Sequence, residues 1–250
     1  MSHHKITWLN QPGRVARGYQ SAGVSRMSLP DCYRCGKQPC ECKDGITLYC
    51  ADCRDVLPLL EPGSVDLVLT DPPYGYRFAS GWESSHRGQA IANDSDTSCR
   101  DFVLEWTNGC PWACFGSWRV PPPETTKTAL VWDKGPASGM GDLRLPWKCS
   151  WELIWIGGCG WVGHRDEGVL RGHRIVTWES RGRRHINEKP RTLLMVIMTK
   201  APSGTVLDPF AGSGTTGRAC KDLGRRCIMI EIEEKYCRIA AERLRQEVLL

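Results

Sequence analysis

The chain has 250 residues, 41% of them hydrophobic and 24% charged, with a formal net charge of +5 and 14 cysteines. This is too apolar for a disordered protein, and at roughly 100–200 residues per domain it suits one large domain or one domain plus an appendage. The strongest apolar run, residues 193–198, is far short of the about 20 residues that a membrane span needs, and residues 1–20 lack the apolar core of a secretory leader. A cytoplasmic protein without a membrane partner is expected, its cysteines thiols or metal ligands rather than disulfides.

In chain order, residues 1–30 carry Lys5, Arg14, Arg17 and Arg26 and no acid, and read as a flexible basic arm. Residues 31–44 hold Cys32, Cys35, Cys40 and Cys42 as C-x2-C-x4-C-x-C, a spacing with which four thiols can wrap one tetrahedral zinc. Two alternatives compete: a ribbon of Cys32 and Cys35 with Cys50 and Cys53, or free thiols. From residue 45 strands and helices alternate. Residues 46–49 suit a strand, 53–60 a helix stopped by Pro62-Gly63, and 65–70 a buried parallel strand. Residues 75–98 read as a long loop, 102–108 as a helix, and 114–115, 129–132, 152–156 and 174–178 as strands. A helix is expected over 191–200, a strand over 205–207, a helix over 213–223 ended by Gly224, and a strand over 227–230. The last helix starts near Glu233, with Tyr236, Ala240, Leu244 and Val248 as its apolar stripe. The alternation predicts an α/β fold with a largely parallel sheet.

Two motifs carry the chemistry. Gly212-Ser213-Gly214-Thr215-Thr216-Gly217 satisfies G-x-G-x-x-G between a strand and a helix, and Glu231 ends the next strand. Such glycines allow close backbone approach to a nucleotide-like cofactor, and the acid can bind a ribose, so an NAD enzyme is one reading. Asp71-Pro72-Pro73-Tyr74 sits at the end of the best strand, at the edge where open α/β sheets bind ligands. Its prolines restrict the backbone and hold Asp71 and the Pro72 carbonyl as rigid acceptors. A plain proline-rich turn is the bland alternative.

Together these motifs resemble those of the S-adenosylmethionine-dependent DNA amino-methyltransferases, which act on adenine N6 or cytosine N4. Residues Asp208-Pro209-Phe210-Ala211-Gly212-Ser213-Gly214-Thr215-Thr216 resemble the family's cofactor loop, and Asp71-Pro72-Pro73-Tyr74 its catalytic motif. His185-Ile186-Asn187-Glu188-Lys189-Pro190 resembles the segment that helps bind the methionine part, and Ala51-Asp52-Cys53 the one whose Asp contacts the adenine. The catalytic motif comes first and the cofactor loop last, the permuted order of the family's beta group. The resemblance implies a Rossmann-like methyltransferase fold over residues 45–250: a mostly parallel seven-stranded sheet with one reversed strand and helices on both faces. It also implies a small target-recognition region between Tyr74 and His185, double-stranded DNA as partner, a homodimer, and a bacterial or phage setting.

On this reading Asp71 and Pro72 accept the amino hydrogens of a flipped-out base, Pro73 stiffens the turn, and Tyr74 stacks on the base. Asp52, Lys189, Pro190, Asp208, Phe210, Ala211, Gly212, Ser213, Gly214, Thr215 and Glu231 form the cofactor site. Residues 171–191 carry seven basic and two acidic side chains. Arg171, Arg174, Arg181, Arg183 and Arg184, with Arg77 of the long loop, are candidate DNA contacts. Adenine N6 is favoured, because Asp at the first tetrad position is commoner in adenine enzymes. The alternatives are a cytosine N4 enzyme, an RNA methyltransferase, an NAD enzyme and a non-enzymatic zinc-containing DNA-binding protein.

Overall fold

The computed structural model describes residues 28–75, 94–135, 144–173 and 188–246. The expected strand at 174–178, the loop at 76–93 and the arm before residue 28 lie outside these. Alternating strands and helices build one mixed sheet: β1 (Ile46–Cys50), β2 (Leu67–Thr70), β3 (Trp112–Gly116), β4 (Thr126–Asp133), β5 (Trp151–Gly157), β6 (Val169–Leu170), β7 (Val206–Asp208) and β8 (Cys227–Glu231). The helices are α1 (Cys53–Val56), continued by a 3-10 turn at Leu57–Leu59, then α2 (Ser98–Trp106), α3 (Arg191–Met198), α4 (Thr215–Asp222) and α5 (Glu234–Arg245).

The strand order is β1-β8-β7-β2-β3-β5-β4-β6. Only β5 runs against its neighbours among the described strands. The resemblance implies seven strands and the sheet has eight. The extra one is the two-residue edge strand β6, which pairs Val131 with Val169 and Trp132 with Leu170.

Period-two alternation explains the layers. Leu67, Leu69, Ala113, Phe115 and Met229 face one side, against Leu193, Ile197, Ala219, Ala240 and Leu244 of α3, α4 and α5. Val68, Trp112, Cys114, Leu207 and Ile230 face the other, against Val56, Cys99, Val103 and Leu104 of α1 and α2. Central strands are therefore buried on both faces and read as continuous apolar runs.

Helix α2 starts at Ser98 rather than near Phe102. The polar run before it is a start signal: Asp96 accepts from the Ser98 amide at 2.9 Å, and Thr97 Oγ1 donates to Asp101 at 2.8 Å. Among the described residues no helix is long and apolar enough to cross a membrane.

Candidate active site

Strands β1, β8, β7 and β2 are adjacent and parallel, so their C-terminal ends share one edge. Segments distant in sequence meet there: Ala51 to Cys53 after β1, Asp71 to Tyr74 after β2, Asp208 to Ser213 after β7, and Glu231 to Glu233 after β8. All line one cavity of about 300 Å³. Lys134 after β4, Glu152 on β5 and Lys189 before α3 close its far wall.

That wall is a charge network. The Lys189 ammonium has three hydrogens and three partners: Asp71 Oδ2 at 3.0 Å, the Tyr74 hydroxyl at 3.2 Å, and Glu152 Oε1. The Tyr74 hydroxyl is 2.8 Å from both Asp71 Oδ1 and Glu152 Oε1, and with one hydrogen it donates to one of them at a time. Lys134 binds the other Glu152 oxygen at 2.6 Å. Lys189 also lies 4.8 Å from the centre of the Phe115 ring, a cation–π contact.

Burial opposes charge on Glu152, but Lys189 and Lys134 outweigh it and hold the carboxyl at about 2. Burial pushes Asp71 above the ordinary carboxylate range, with Lys189 pulling the other way. Lys189 is raised, because Asp71 and Glu152 outweigh its desolvation. Burial and Lys189 thus act in opposite senses on the Asp71 carboxyl, with the net direction upward.

The opposite wall is backbone held by carboxylates. Asp208 Oδ1 accepts from Thr70 Oγ1 at 2.9 Å and from the Phe210 amide at 3.2 Å, which joins β7 to β2. Burial raises its carboxyl to about 6. Glu231 accepts from the Gly212 amide at 2.8 Å on one oxygen and from the Glu233 amide at 2.8 Å on the other. Each oxygen keeps a further lone pair for a ligand hydroxyl. Gly214 caps α4 in the left-handed region, φ +80°, where a Cβ would sit 2.7 Å from Ala240 Cβ. A Cβ on Gly217 would meet Met229 Sδ of β8 at 2.5 Å, so the third glycine permits close helix–strand packing.

Asp52, Lys189, Asp208, Phe210, Ala211, Gly212, Ser213, Thr215 and Glu231 line the cavity, as do Asp71, Pro72, Pro73 and Tyr74. Pro190 and Gly214 do not; they cap α3 and α4. Asp52 also caps α1, accepting from the Arg54 amide at 2.9 Å and pairing with its guanidinium. Lys189, assigned by resemblance to the cofactor, has its ammonium on Asp71 and Tyr74. Arg171 is exposed and pairs with exposed Glu167 at 3.1 Å. Arg77, Arg174, Arg181, Arg183, Arg184 and His185 to Asn187 lie outside the described residues.

Sequence reasoning missed Glu152 and Lys134. Their one signal is a carboxylate between Trp151 and Leu153 in an apolar strand, and a lysine just past the paired strand.

Comparisons with known proteins give the family and the fold. A family model described as DNA methylase matches residues 129–242. The type II methyltransferase M2.DpnII of Streptococcus pneumoniae is 47% identical over 258 aligned positions, covering 82% of this chain and 91% of that protein. The chain belongs to the N6/N4 DNA methylase family. This methylase is therefore a DNA amino-methyltransferase acting on adenine N6 or cytosine N4, which removes the NAD-enzyme and non-enzymatic readings. Its fold is shared with the M1.HpyAVI–SAM complex, which is 24% identical at a TM-score of 0.55 and covers 80% of this chain and 100% of that one. It is also shared with the cytosine-N4-specific PvuII DNA methyltransferase, 15% identical at a TM-score of 0.58, covering 82% and 88%.

Proposed function

We propose that this methylase transfers a methyl group from S-adenosylmethionine to N6 of an adenine flipped out of duplex DNA, at a specific sequence. The observation that carries the reading is one cavity with the Asp71 tetrad on one wall and the glycine loop with Glu231 on the other.

The chain's own donors and acceptors fit the cofactor. Glu231 offers two lone pairs at ribose-hydroxyl spacing, Asp52 lies beside it for the adenine amino group, and the turn at Phe210 to Gly212 brings backbone close to the methionine part. The volume falls at the lower end of the about 300–1,000 Å³ usual for small-molecule sites. When bound, S-adenosylmethionine supplies an electrophilic methyl group.

An exocyclic amino nitrogen is a weak nucleophile, because its lone pair is delocalised into the ring. Asp71 carboxylate and the Pro72 carbonyl accept its two N–H bonds. This localises the lone pair, fixes the attack line, and stabilises the positive charge that grows on nitrogen. Tyr74 offers a ring for the base to stack on, replacing base–base stacking with a contact of about 1–3 kcal/mol. Its hydroxyl, tied to Asp71, also fixes the carboxylate's rotamer. Lys189 and Glu152 act as positioning residues through Asp71. Arg171, with Arg77, Arg174, Arg181, Arg183 and Arg184, supplies phosphate contacts.

Methylation of mixed-sequence duplex DNA with labelled cofactor, followed by mass spectrometry of the nucleosides, tests the base. N6-methyladenine is expected. N4-methylcytosine as the sole product would overturn the adenine assignment and leave the amino-methyltransferase assignment standing.

A further inference from the structure

The cysteine cluster stands apart from the cavity, and no part of the methyl-transfer reaction uses it. The Sγ atoms of Cys32, Cys35, Cys40 and Cys42 all lie within 4.8 Å of one another. Cys35 Sγ and Cys40 Sγ are 3.9 Å apart. A tetrahedral site with zinc–sulfur bonds of about 2.3 Å has sulfur–sulfur edges of about 3.8 Å. A disulfide needs about 2 Å, so the spacing matches four ligands around one ion rather than two bridges.

The backbone is shaped for the same purpose. The Cys35 and Gly36 amides both donate to the Cys32 carbonyl, at 3.2 and 2.7 Å, which turns Cys35 back over Cys32. Gly36, at φ +65°, supplies the left-handed residue of that turn. The Cys42 amide points at Cys40 Sγ, at 3.5 Å. The competing ribbon is not assembled: Cys53 Sγ lies 3.7 Å from Cys99 Sγ, across α1 and α2.

The loop has no core of its own. Cys32 is the only buried residue between positions 28 and 44. Yet the segment is held firmly on the outer edge of β1, which ends the sheet order. The Tyr33 amide donates to the Leu48 carbonyl at 2.7 Å, and the Arg34 guanidinium bridges Asp44 and the Ile46 carbonyl. A bound ion would replace the missing apolar core and cover an otherwise open strand edge.

We propose that Cys32, Cys35, Cys40 and Cys42 bind one structural zinc ion that folds residues 31–44 onto the edge of β1. Binding releases the thiol protons to solvent and leaves a site of net charge −2, with Arg34 inside the loop and Lys37 and Lys43 flanking it.

The test is metal analysis of the full chain, purified under reducing conditions without chelator and equilibrated with zinc. About one zinc per chain is expected. Under about 0.2 per chain would overturn the site. Cys40→Ser with Cys42→Ser should lose the metal, whereas Cys149→Ser with Cys159→Ser, at exposed positions, should keep it; the reverse pattern would overturn the ligand set. Two measurements on the unmodified protein hold whether or not the variants fold. Cobalt should give thiolate charge-transfer and tetrahedral visible bands. Half-exposed Cys35, Cys40 and Cys42 should resist alkylation until a chelator is added. Absent cobalt bands, or equal alkylation with and without chelator, would overturn the proposal.

Discussion

In the proposed reaction Asp71 accepts an amino hydrogen most strongly when ionised, and burial resists that ionisation. Asp71→Ala removes the acceptor while leaving Glu231 and the glycine loop in place. Methyl transfer should fall by at least about 10²–10³-fold, the usual effect of removing one preorganised electrostatic group, with cofactor affinity by calorimetry within a few-fold of wild type. Near wild-type turnover would sink the catalytic assignment. Lys189 sits 3.0 Å from the same carboxylate and favours its charged form. Lys189→Met keeps the length and removes the charge, so the Asp71 pKa rises further. The acid limb of kcat/KM should then move to higher pH. A lower kcat with an unmoved limb would separate Lys189 from the ionisation of Asp71. This lysine shows where motif reading stops. The tetrad was legible because prolines and an acid at a strand end have few other uses. The pairing of Lys189 with Asp71 and Glu152 was not, since it depends on β5 running back past β3 and bringing residue 152 beside residue 71.

At the scale of elements, Asp208 ties three together: it ends β7, accepts from Thr70 of β2, and bonds the Thr216 hydroxyl on α4. Its folded carboxyl lies at about 6 against an ordinary value of 3.8, chiefly through burial. Between these values the native state holds more protons than the unfolded chain, so stability contributed at this site falls as pH rises from about 4 to about 6. Below that window both states are protonated and the penalty is absent. Asp208→Asn keeps an acceptor for the Phe210 amide and can donate to a threonine hydroxyl. Its stability relative to wild type, from urea unfolding without cofactor, should therefore rise across pH 4–6. At pH 7 it should level off at a gain on the order of 3 kcal/mol or less. A difference independent of pH would show that Asp208 is not the titrating group. The glycine loop beside it was readable, because left-handed Gly214 and close-packed Gly217 leave a sequence signature. The start of α2 was not: a run of Ser, Asp and Thr serves equally as loop and as cap, and only the Asp96–Ser98 bond decides.

For the whole molecule, the α/β class and the parallel centre followed from apolar runs too continuous for a one-sided sheet, whereas strand order and the two-residue β6 carry almost no local signal. The charge distribution shows a similar split between pattern and geometry. Residues 171–191 are strongly basic, but two of those charges are tied to acids of the fold: Lys189 to Asp71 and Glu152, and Arg191 to Asp222 at 2.6 Å. Arg171 is different, since its exposed pair with Glu167 is worth at most about 1 kcal/mol and yields readily to a phosphate. On the proposed reading, the phosphate contacts of the segment come from Arg171, Arg174, Arg181, Arg183 and Arg184. Removing one phosphate-neutralising side chain should lower the slope of log affinity against log salt by about 0.9. Replacing Arg181, Arg183 and Arg184 together by Ala should flatten that slope by up to about three and weaken binding to all sequences alike. Cofactor affinity should stay unchanged if these side chains act on phosphates alone, and calorimetry checks it. An unchanged slope would move the polyanion-binding surface to the other basic segment, residues 1–30, where the corresponding changes at Arg14, Arg17 and Arg26 should then produce it.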